Sequence, residues 1–391
     1  MKTIILNWKN GENDPFSVFN KTLFGYFTLA GKDVEIIEIT DPDWPKKLLS
    51  HYGRGIDFVL TWQGLESRLM LNNGKRFWDH YQIPLICIHG DHPCHMPDNH
   101  SVESQYVAHF YFDPYFSIYS NRHFRVKQSA NAVHTPLLHN EPSFERRRTG
   151  DFFVIAKNIN LTNCMLENWR KNLDQKICKI LVEISENIRQ NISTPGYLNV
   201  HQLVDNYLEC NDLIDYFETD INIKNVYHFI HSQIDFFARN IKSEKLITLL
   251  HDFPVQIYGR GWGNINRSKH HQFFDGLSMS ESQHLFHSNF GIIDVSASIG
   301  LHDRTLRAIH NSGSFLSSAD LSHETQVYGN FSSLFFDFNN TIINKCENVL
   351  RNSDEHNELS KIFASKYKSL HRNEDFVWKI TSLAYSMKKN S

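Results

Sequence analysis

Short apolar runs alternate with stretches of helical spacing along the first third of the chain. These runs, rich in β-branched and aromatic residues, lie at residues 3–8, 34–39, 56–62, 84–88 and 107–112. Such composition favours strands. Between the first two runs, Asp14 and Pro15 precede a stretch with helical spacing that ends before Gly31, the usual order of a helix start and stop. Strands separated by helices predict parallel βαβ units and a doubly wound N-terminal domain.

The polar segment 139–150 contains Pro and Gly and predicts a linker. Beyond it the α/β pattern resumes, with one long helical interruption. Further strands are predicted at 151–156, 255–258, 290–295, 314–316 and 334–338, and closing helices at 358–370 and 374–388. We therefore expect two Rossmann-like domains, at 1–140 and 151–375, with a helical insertion at about 161–250. The remaining segment, 376–391, is expected to be a C-terminal helix outside the second domain.

Two doubly wound domains bind ligands outside the carboxyl ends of their strands. We therefore expect the functional site in a cleft between the two domains, built from the loops that follow those strands.

Composition narrows the function. With 391 residues, 41% of them hydrophobic, the chain is long enough for two cores, which excludes disorder as its main state. A formal net charge of -3 argues against a nucleic-acid partner. No apolar stretch approaches a membrane span, and the amino terminus predicts no secretory signal. The six scattered cysteines predict reduced thiols and a cytoplasmic protein. Peripheral membrane contact through the arginines of the linker stays open.

The densest polar cluster follows the fourth predicted strand, in the segment IHGDHPCHMPDNH. Asp91 and His92 are the candidate catalytic residues, which would orient or deprotonate an acceptor hydroxyl. The same loop, through His89, Asp91, His92 and His95, could instead bind zinc. Two prolines make the loop irregular, so we expect no metal here.

Two loops of the second domain are candidates for binding a diphosphate. A glycine turn, Gly259-Arg260-Gly261-Trp262, follows a strand, and it would let the backbone approach a ligand while Arg260 contacts two oxygens. Its spacing is not GxGxxG, which disfavours a nicotinamide or flavin site. The second loop precedes a helix whose first turn carries a guanidinium. Its candidate residues are Gly300, His302, Asp303 and Arg304.

The combination of YGRGW, NFGIIDVSAS and GLHDRTLRAIHNSGSFLSS, with IPLICIHGDHP in the N-terminal half, resembles the glycosyltransferase group that includes the spore-maturation protein CgeB and related bacterial proteins. The resemblance is best between 255 and 338. It implies a GT-B fold, an acceptor-binding N-terminal domain, and a donor diphosphate near Arg304 and the glycine turn. It also implies that the last helix, 376–391, crosses back to the first domain. Relatives commonly carry Glu three residues after that Arg, where this chain has Arg307, so no ribose contact is implied there.

The leading hypothesis is a cytoplasmic, metal-independent glycosyltransferase with no bound cofactor. It would move a sugar from a nucleotide-sugar donor to a glycan, lipid-linked or protein acceptor, as in polysaccharide biosynthesis. Asp91 would act as base, with His92 the second choice. Two alternatives stay open: a binding module with a transferase-like fold but no turnover, and a zinc hydrolase built on the His89, Asp91, His92 and His95 loop.

Overall fold

A computed structural model of the protein describes most of the chain. The described residues are 2–8, 15–124, 129–131, 150–194, 198–213, 221–263, 265, 268–276, 285–286, 290–295, 300–301, 303–320 and 328–389. The chain divides into two compact units. The N-terminal unit comprises Met1–Asn140 and Lys368–Ser391, and the C-terminal unit comprises Glu141–Tyr367.

The regular elements alternate between strand and helix in both units. The strands are β1 (Lys2–Asn7), β2 (Asp33–Glu38), β3 (Ile56–Trp62), β4 (Leu85–His89), β5 (Val107–Tyr111), β6 (Ser129–Asn131), β7 (Phe153–Ala156), β8 (Val255–Tyr258), β9 (His271–Phe274), β10 (Ile292–Asp294) and β11 (Phe315–Ser317). The helices are α1 (Pro15–Leu29), α2 (Trp44–Ser50), α3 (Phe77–Tyr81), α4 (Pro97–His100), α5 (Pro114–His123), α6 (Thr162–Asn172), α7 (Gln175–Asn191), α8 (Val200–Cys210), α9 (Ile221–Leu249), α10 (Asp303–His310), α11 (Asn340–Arg351), α12 (Ser353–Leu370) and α13 (Asn373–Lys389). Of the helices described, none is long and apolar enough to cross a bilayer.

The N-terminal unit is built on a six-stranded parallel sheet in the order β2-β1-β3-β4-β5-β6. One face packs against α1 and α13, where Phe376 and Ile380 of the closing helix join Phe58 and Phe110 of the strands in a buried cluster. The buried Asp57 is paired with Lys388 of α13 and Lys32, at 3.4 and 3.2 Å. The last helix is therefore part of the N-terminal unit, which begins again at residue 368, ahead of the predicted boundary at 376.

The C-terminal unit is built on a five-stranded parallel sheet in the order β11-β10-β7-β8-β9. Its helical block, α6 to α9, lies between β7 and β8, and α9 packs against α6, α7 and α8. Leu246 and Leu250, at the end of this block, are buried with Ile155 and Ile257 of the strands. The long helix α9 therefore belongs to the core of the unit and is the crossover that leads into β8.

Local predictions from the sequence differ from the structure in two places. The strand predicted at 334–338 is wrong, because Gly329–Leu334 forms a 3₁₀ turn and Phe335 makes only an isolated bridge to Ser317. Strands β6 and β9 are not predicted, because three- and four-residue runs with polar side chains show too little alternation. The predicted linker, 139–150, lies outside the described residues apart from Gly150.

Candidate functional site

A pocket lies where the order of the C-terminal sheet reverses. The strand β7 has β8 on one side and β10 on the other, so the chain turns in opposite directions from it, and ligands of open α/β sheets bind at such a point. The pocket has a volume of about 330 Å³, within the range of small-ligand sites, about 300–1,000 Å³. It is lined by Lys157, Asn158, Ile159, Asn160, Phe236, Arg239, Asn240, Val295 and Arg304.

Three cationic side chains from separate elements reach this pocket: Lys157 follows β7, Arg239 lies on α9, and Arg304 begins α10. Arg304 lies 3.8 Å from the buried carboxylate of Asp294, at the end of β10. The same carboxylate accepts a hydrogen bond from Thr305 at 2.8 Å. Asp294 therefore fixes the start of α10 and the guanidinium that it carries beside the pocket.

Arg239 is held in a similar way. Its Nε donates to Asp235 Oδ2 at 2.7 Å, one turn earlier on α9, and Asp235 is buried. The carbonyl oxygen of Arg239 accepts from Lys157 Nζ at 3.2 Å. Because Arg239 is hydrogen-bonded to one buried carboxylate and Arg304 is ion-paired with another, the pocket has a cationic wall that is formed without a ligand.

The ammonium group of Lys157 is affected by these neighbours. Burial lowers the pKa of Lys157 to about 7, and the positive charges of Arg304, Arg239 and Lys242 lower it as well, whereas Asp294 raises it. The neighbouring positive charges that disfavour the protonated form of Lys157 attract an anion to the same place. The pocket is therefore suited to binding phosphate oxygens.

The predicted glycine turn supports one wall of the pocket. Gly259 and Gly261 adopt φ values of 138° and 93°, and a β-carbon at either position would overlap the carbonyl oxygen of Lys157 or Ile159. Arg260 N donates to Asn158 Oδ1, and Trp262 Nε1 donates to Lys157 O, both at 2.8 Å. The glycines therefore let the turn approach the 157–160 loop, while the Arg260 side chain is exposed.

The remaining predicted donor residues lie around the start of α10. Asp303 and Arg304 are its first two residues, and Gly300, which precedes the helix, is half-buried. His302 lies outside the described residues. Arg304 thus lines the pocket, whereas Trp262 and Gly261 act on it through the neighbouring loop.

Arg307, which stands where the resemblance implies Glu, is buried. Its guanidinium lies over the ring of Phe286, 4.7 Å from the centroid. It is absent from the described residues that line the pocket. Arg307 therefore makes a cation–π contact inside the unit, which is a structural role.

The strand order of the N-terminal sheet also reverses at β1, which has β2 on one side and β3 on the other. Beyond β3, Gln63 adopts φ 55°, an unusual conformation for a residue other than glycine, and Gly64 follows at φ 67°. Gln63 Nε2 donates to Asp91 Oδ2 at 2.8 Å, and Asn99 Nδ2 donates to the carbonyl oxygen of Gln63 at 2.8 Å. Asp91 is exposed, so the loop holds one carboxylate oxygen and leaves the carboxylate accessible.

His92 occupies a different environment from Asp91. Its ring is buried against Phe116 and Tyr119, with centroids 5.0 and 4.4 Å away, and its Nδ1 accepts from Cys94 N at 3.2 Å. The loop thus separates the two predicted catalytic residues, with one carboxylate in solvent and one imidazole in the interior of the unit.

The zinc-hydrolase alternative requires His89, Asp91, His92 and His95 to converge. Among the described residues these four do not form a group with ligand atoms within metal-binding reach of one another. His89 is part of β4 and fully buried, whereas Asp91 is exposed on the following loop, so one ion cannot use both. The structure therefore does not bring this four-residue ligand set together.

A buried acid lies at the same edge of the N-terminal sheet. Glu66 accepts from Trp8 Nε1 at 2.7 Å and from the hydroxyl of Thr61. Burial raises the pKa of Glu66, although these hydrogen bonds lower it. Trp8 directly follows β1, so its hydrogen bond to Glu66 places an indole ring at the switch point of this sheet.

Several residues that lie at the carboxyl ends of the two sheets are not identified from the sequence. Lys157 follows a strand directly, and that position is a usable signal. Arg239 lies within the predicted helical insertion, where helical spacing carries no sign of a ligand contact. Gln63 has no sequence signal, because its role depends on a backbone conformation and on Asp91.

Comparison with known proteins supports the fold class. No family model and no curated protein sequence matches this chain. Among solved structures, the T4 phage protein BGT, determined in complex with its UDP-glucose substrate, is similar with a TM-score of 0.52 and 8% sequence identity. The similarity covers 97% of this chain and 99% of that one. The chain thus has the two-unit α/β architecture of the GT-B fold, as predicted.

Proposed function

We propose that this protein is a glycosyltransferase that uses a nucleotide-sugar donor. The observation that carries the proposal is the cationic pocket at the switch point of the C-terminal sheet, with Lys157, Arg239 and Arg304 in its lining. The GT-B fold supports it, since the structurally similar T4 phage protein was solved with UDP-glucose.

The donor diphosphate is assigned to the three cations. A guanidinium can donate two parallel hydrogen bonds to phosphate oxygens, and Lys157 adds a compact charge. The amides of Asn158 and Asn160 line the same pocket and can donate to the donor's hydroxyl groups. The charges and amides of the pocket thus match the polar groups of a nucleotide-sugar.

Transfer in this site is proposed to need no metal ion at the diphosphate. When the bond to the sugar breaks, negative charge develops on the leaving diphosphate, and preorganised cations stabilise it. Arg304 and Arg239 are fixed by Asp294 and Asp235 before any donor binds. We expect donor binding to persist after treatment with EDTA.

Asp91 is the proposed base that takes the proton of the acceptor hydroxyl. It is exposed and its orientation is set by Gln63, whereas the ring of His92 is enclosed by aromatic side chains. A positioned base within hydrogen-bond reach contributes about 100- to 10,000-fold to such a reaction. A glycan, lipid-linked or protein acceptor, a cytoplasmic location, bacterial polysaccharide synthesis and membership of the CgeB group stay predictions.

A thermal-shift panel with UDP, GDP, TDP, ADP and CMP tests the donor site. A ligand that binds only the folded state stabilises it by RT ln(1 + [L]/Kd), or about 2.7 kcal/mol at a concentration of about 100 Kd. At least one nucleotide should raise the melting temperature of the wild type, and less so that of Arg304→Ala. No shift with any of them would contradict the proposal.

Release of free sugar from the matching nucleotide-sugar then separates an enzyme from a binding module. In the absence of acceptor, water can take the acceptor's place, and an enzyme should release sugar slowly. A protein that binds the donor but releases no sugar, with any acceptor offered, would be a binding module.

A further inference from the structure

A compact group of sulfur and imidazole side chains lies inside the N-terminal unit, apart from the exposed Asp91. Cys87 and His89 lie two residues apart on β4, and His109 is the direct partner of Cys87 on β5. Alternate residues of a strand face the same side, and so do directly paired residues of neighbouring strands. The three side chains therefore share one face of the sheet.

The three side chains are within metal-binding reach of one another. Their candidate ligand atoms all lie within 4.8 Å of each other, and each residue is at most 1% exposed. His89 Nε2 and His109 Nδ1 are 2.9 Å apart. A tetrahedral zinc ion, with bonds of about 2.3 Å to sulfur and about 2.0 Å to nitrogen, holds its ligand atoms about 3.3–3.6 Å apart. Small side-chain movements would therefore suffice to form a site.

The two imidazoles are hydrogen-bonded to each other through His89 Nε2 and His109 Nδ1, and an ion bound between these nitrogens would replace that bond. Within the described residues, His89 Nδ1 and His109 Nε2 are buried and have no hydrogen-bond partner. Neutral imidazole is the form that binds a metal ion. His89 Nδ1 and His109 Nε2 lie on the far sides of the hydrogen-bonded pair, so the ion would bind between the rings and not at these two atoms.

We propose that Cys87, His89 and His109 bind one zinc ion as a structural site of the N-terminal unit. One thiolate and two imidazoles are ligands typical of zinc. This ligand set shares only His89 with the zinc-hydrolase hypothesis, and it departs from the expectation that the chain binds no metal. The inference does not rest on the proposed transferase function.

Binding in this site releases a proton. The Cys87 thiol loses its proton to solvent as the metal–sulfur bond forms, while the neutral imidazoles donate lone pairs and lose none.

The experiment uses the full-length protein, stripped with EDTA, dialysed and titrated with Co²⁺ and then Zn²⁺. We expect one Co²⁺ per chain, with a near-ultraviolet band from charge transfer between thiolate and cobalt, and displacement of the band by Zn²⁺. Cys87→Ser should remove the band. Cys346→Ser, which alters a fully buried thiol of the C-terminal unit, is the matched control and should keep it.

A second pair of variants keeps the test decisive if Cys87→Ser does not fold. His109→Asn should weaken Co²⁺ binding by at least about tenfold, because one of three protein ligands is lost. Cys94→Ser alters the other buried cysteine of the N-terminal unit and should have no effect. A wild type without the thiolate band would overturn the proposal. So would a band that persists in Cys87→Ser, or one that disappears only in Cys94→Ser.

Discussion

The carboxyl edges of the two sheets carry opposite kinds of chemistry. In the C-terminal unit, Lys157, Arg239 and Arg304 line one pocket, and two buried carboxylates orient the guanidinium groups. In the N-terminal unit, the corresponding edge holds neutral amides and indoles, a buried acid with a raised pKa, and the exposed carboxylate of Asp91. The two units share a parallel topology but differ in charge where ligands would bind.

This difference suggests a separate task for each unit. A cationic pocket favours an anionic ligand, whereas an edge of amides, indoles and one carboxylate suits a neutral ligand with hydroxyl groups. In a transfer reaction the donor has the diphosphate and the acceptor supplies the hydroxyl. Under the proposed function we expect donor binding in the C-terminal unit and proton removal in the N-terminal unit, and the changes below test that division.

The largest effect is expected from Asp91→Asn. The amide cannot accept a proton, so release of free sugar from the nucleotide-sugar should fall by about 100- to 10,000-fold. The dissociation constant of the donor should stay unchanged, because the change lies in the other unit. Sugar release and donor titration with purified protein measure both.

The control for this change is Asp98→Asn, which removes an exposed carboxylate paired with Arg68 at 2.8 Å. It should leave sugar release close to that of the wild type, since exposed ion pairs contribute little. Unchanged release in Asp91→Asn, or weaker donor binding, would contradict the division between the units.

The next effect is that of Arg304→Ala on donor affinity. Hydrogen bonds to charged groups contribute about 1.5–3 kcal/mol, so the dissociation constant should rise by about 10- to 150-fold. Calorimetric titration with the nucleotide found in the thermal-shift panel measures it. Arg351→Ala, which removes an exposed arginine of α11, should leave affinity unchanged. Equal affinities for the two variants would remove Arg304 from the site.

Gly261→Ala tests whether the glycine turn acts through the neighbouring loop. A β-carbon there would overlap the Ile159 carbonyl oxygen, and φ of 93° disfavours alanine. The free energy of unfolding should therefore fall by about 1–3 kcal/mol. Donor affinity should fall too, because the 157–160 loop lines the pocket.

Gly263→Ala provides the matched comparison, since among the described residues no atom lies within 4 Å of the added carbon. Denaturant unfolding of the two variants gives the difference. Equal stability of the two would show that the close approach at Gly261 has no energetic role.

The smallest effect is a pH dependence of donor binding. In the ligand-free protein the pKa of Lys157 is lowered to about 7, and a bound diphosphate should raise it. The affinity for the donor should therefore be highest below a pH of about 7, where Lys157 is protonated. Above that pH it should fall by at most about tenfold per pH unit. UDP-glucose is a suitable probe, because its esterified diphosphate does not ionise over this range. Lys157→Met should flatten the profile, whereas affinity that rises with pH in the wild type would contradict this assignment.

Much of the architecture can be predicted from the sequence, because it depends on local periodicity. The run predicted at 56–62 is β3, and the run at 255–258 is β8, with the same bounds. β3 is buried throughout and reads as an apolar run, whereas β8 alternates, with Val255 and Ile257 buried. The fold class is confirmed for this reason. Strand β9, with His271 and two phenylalanines around one glutamine, shows no such pattern.

The candidate site is less accessible to sequence reasoning. Arg304 can be identified because it begins a helix after a strand, which is a local feature. Arg239 becomes a pocket residue only because α9 packs along the sheet and places it beside Lys157, 82 residues away in sequence. The sequence pattern predicts the helical block as an insertion, yet its last helix contributes Phe236, Arg239 and Asn240 to the pocket lining.

The most direct measurement is a crystal structure of the full chain with UDP-glucose or the nucleotide-sugar found in the binding panel. We expect density for the diphosphate within hydrogen-bond distance of Arg304, Arg239 and Lys157. Diphosphate density elsewhere on the protein, with these three side chains making no contact to it, would contradict the assignment of the donor to this pocket.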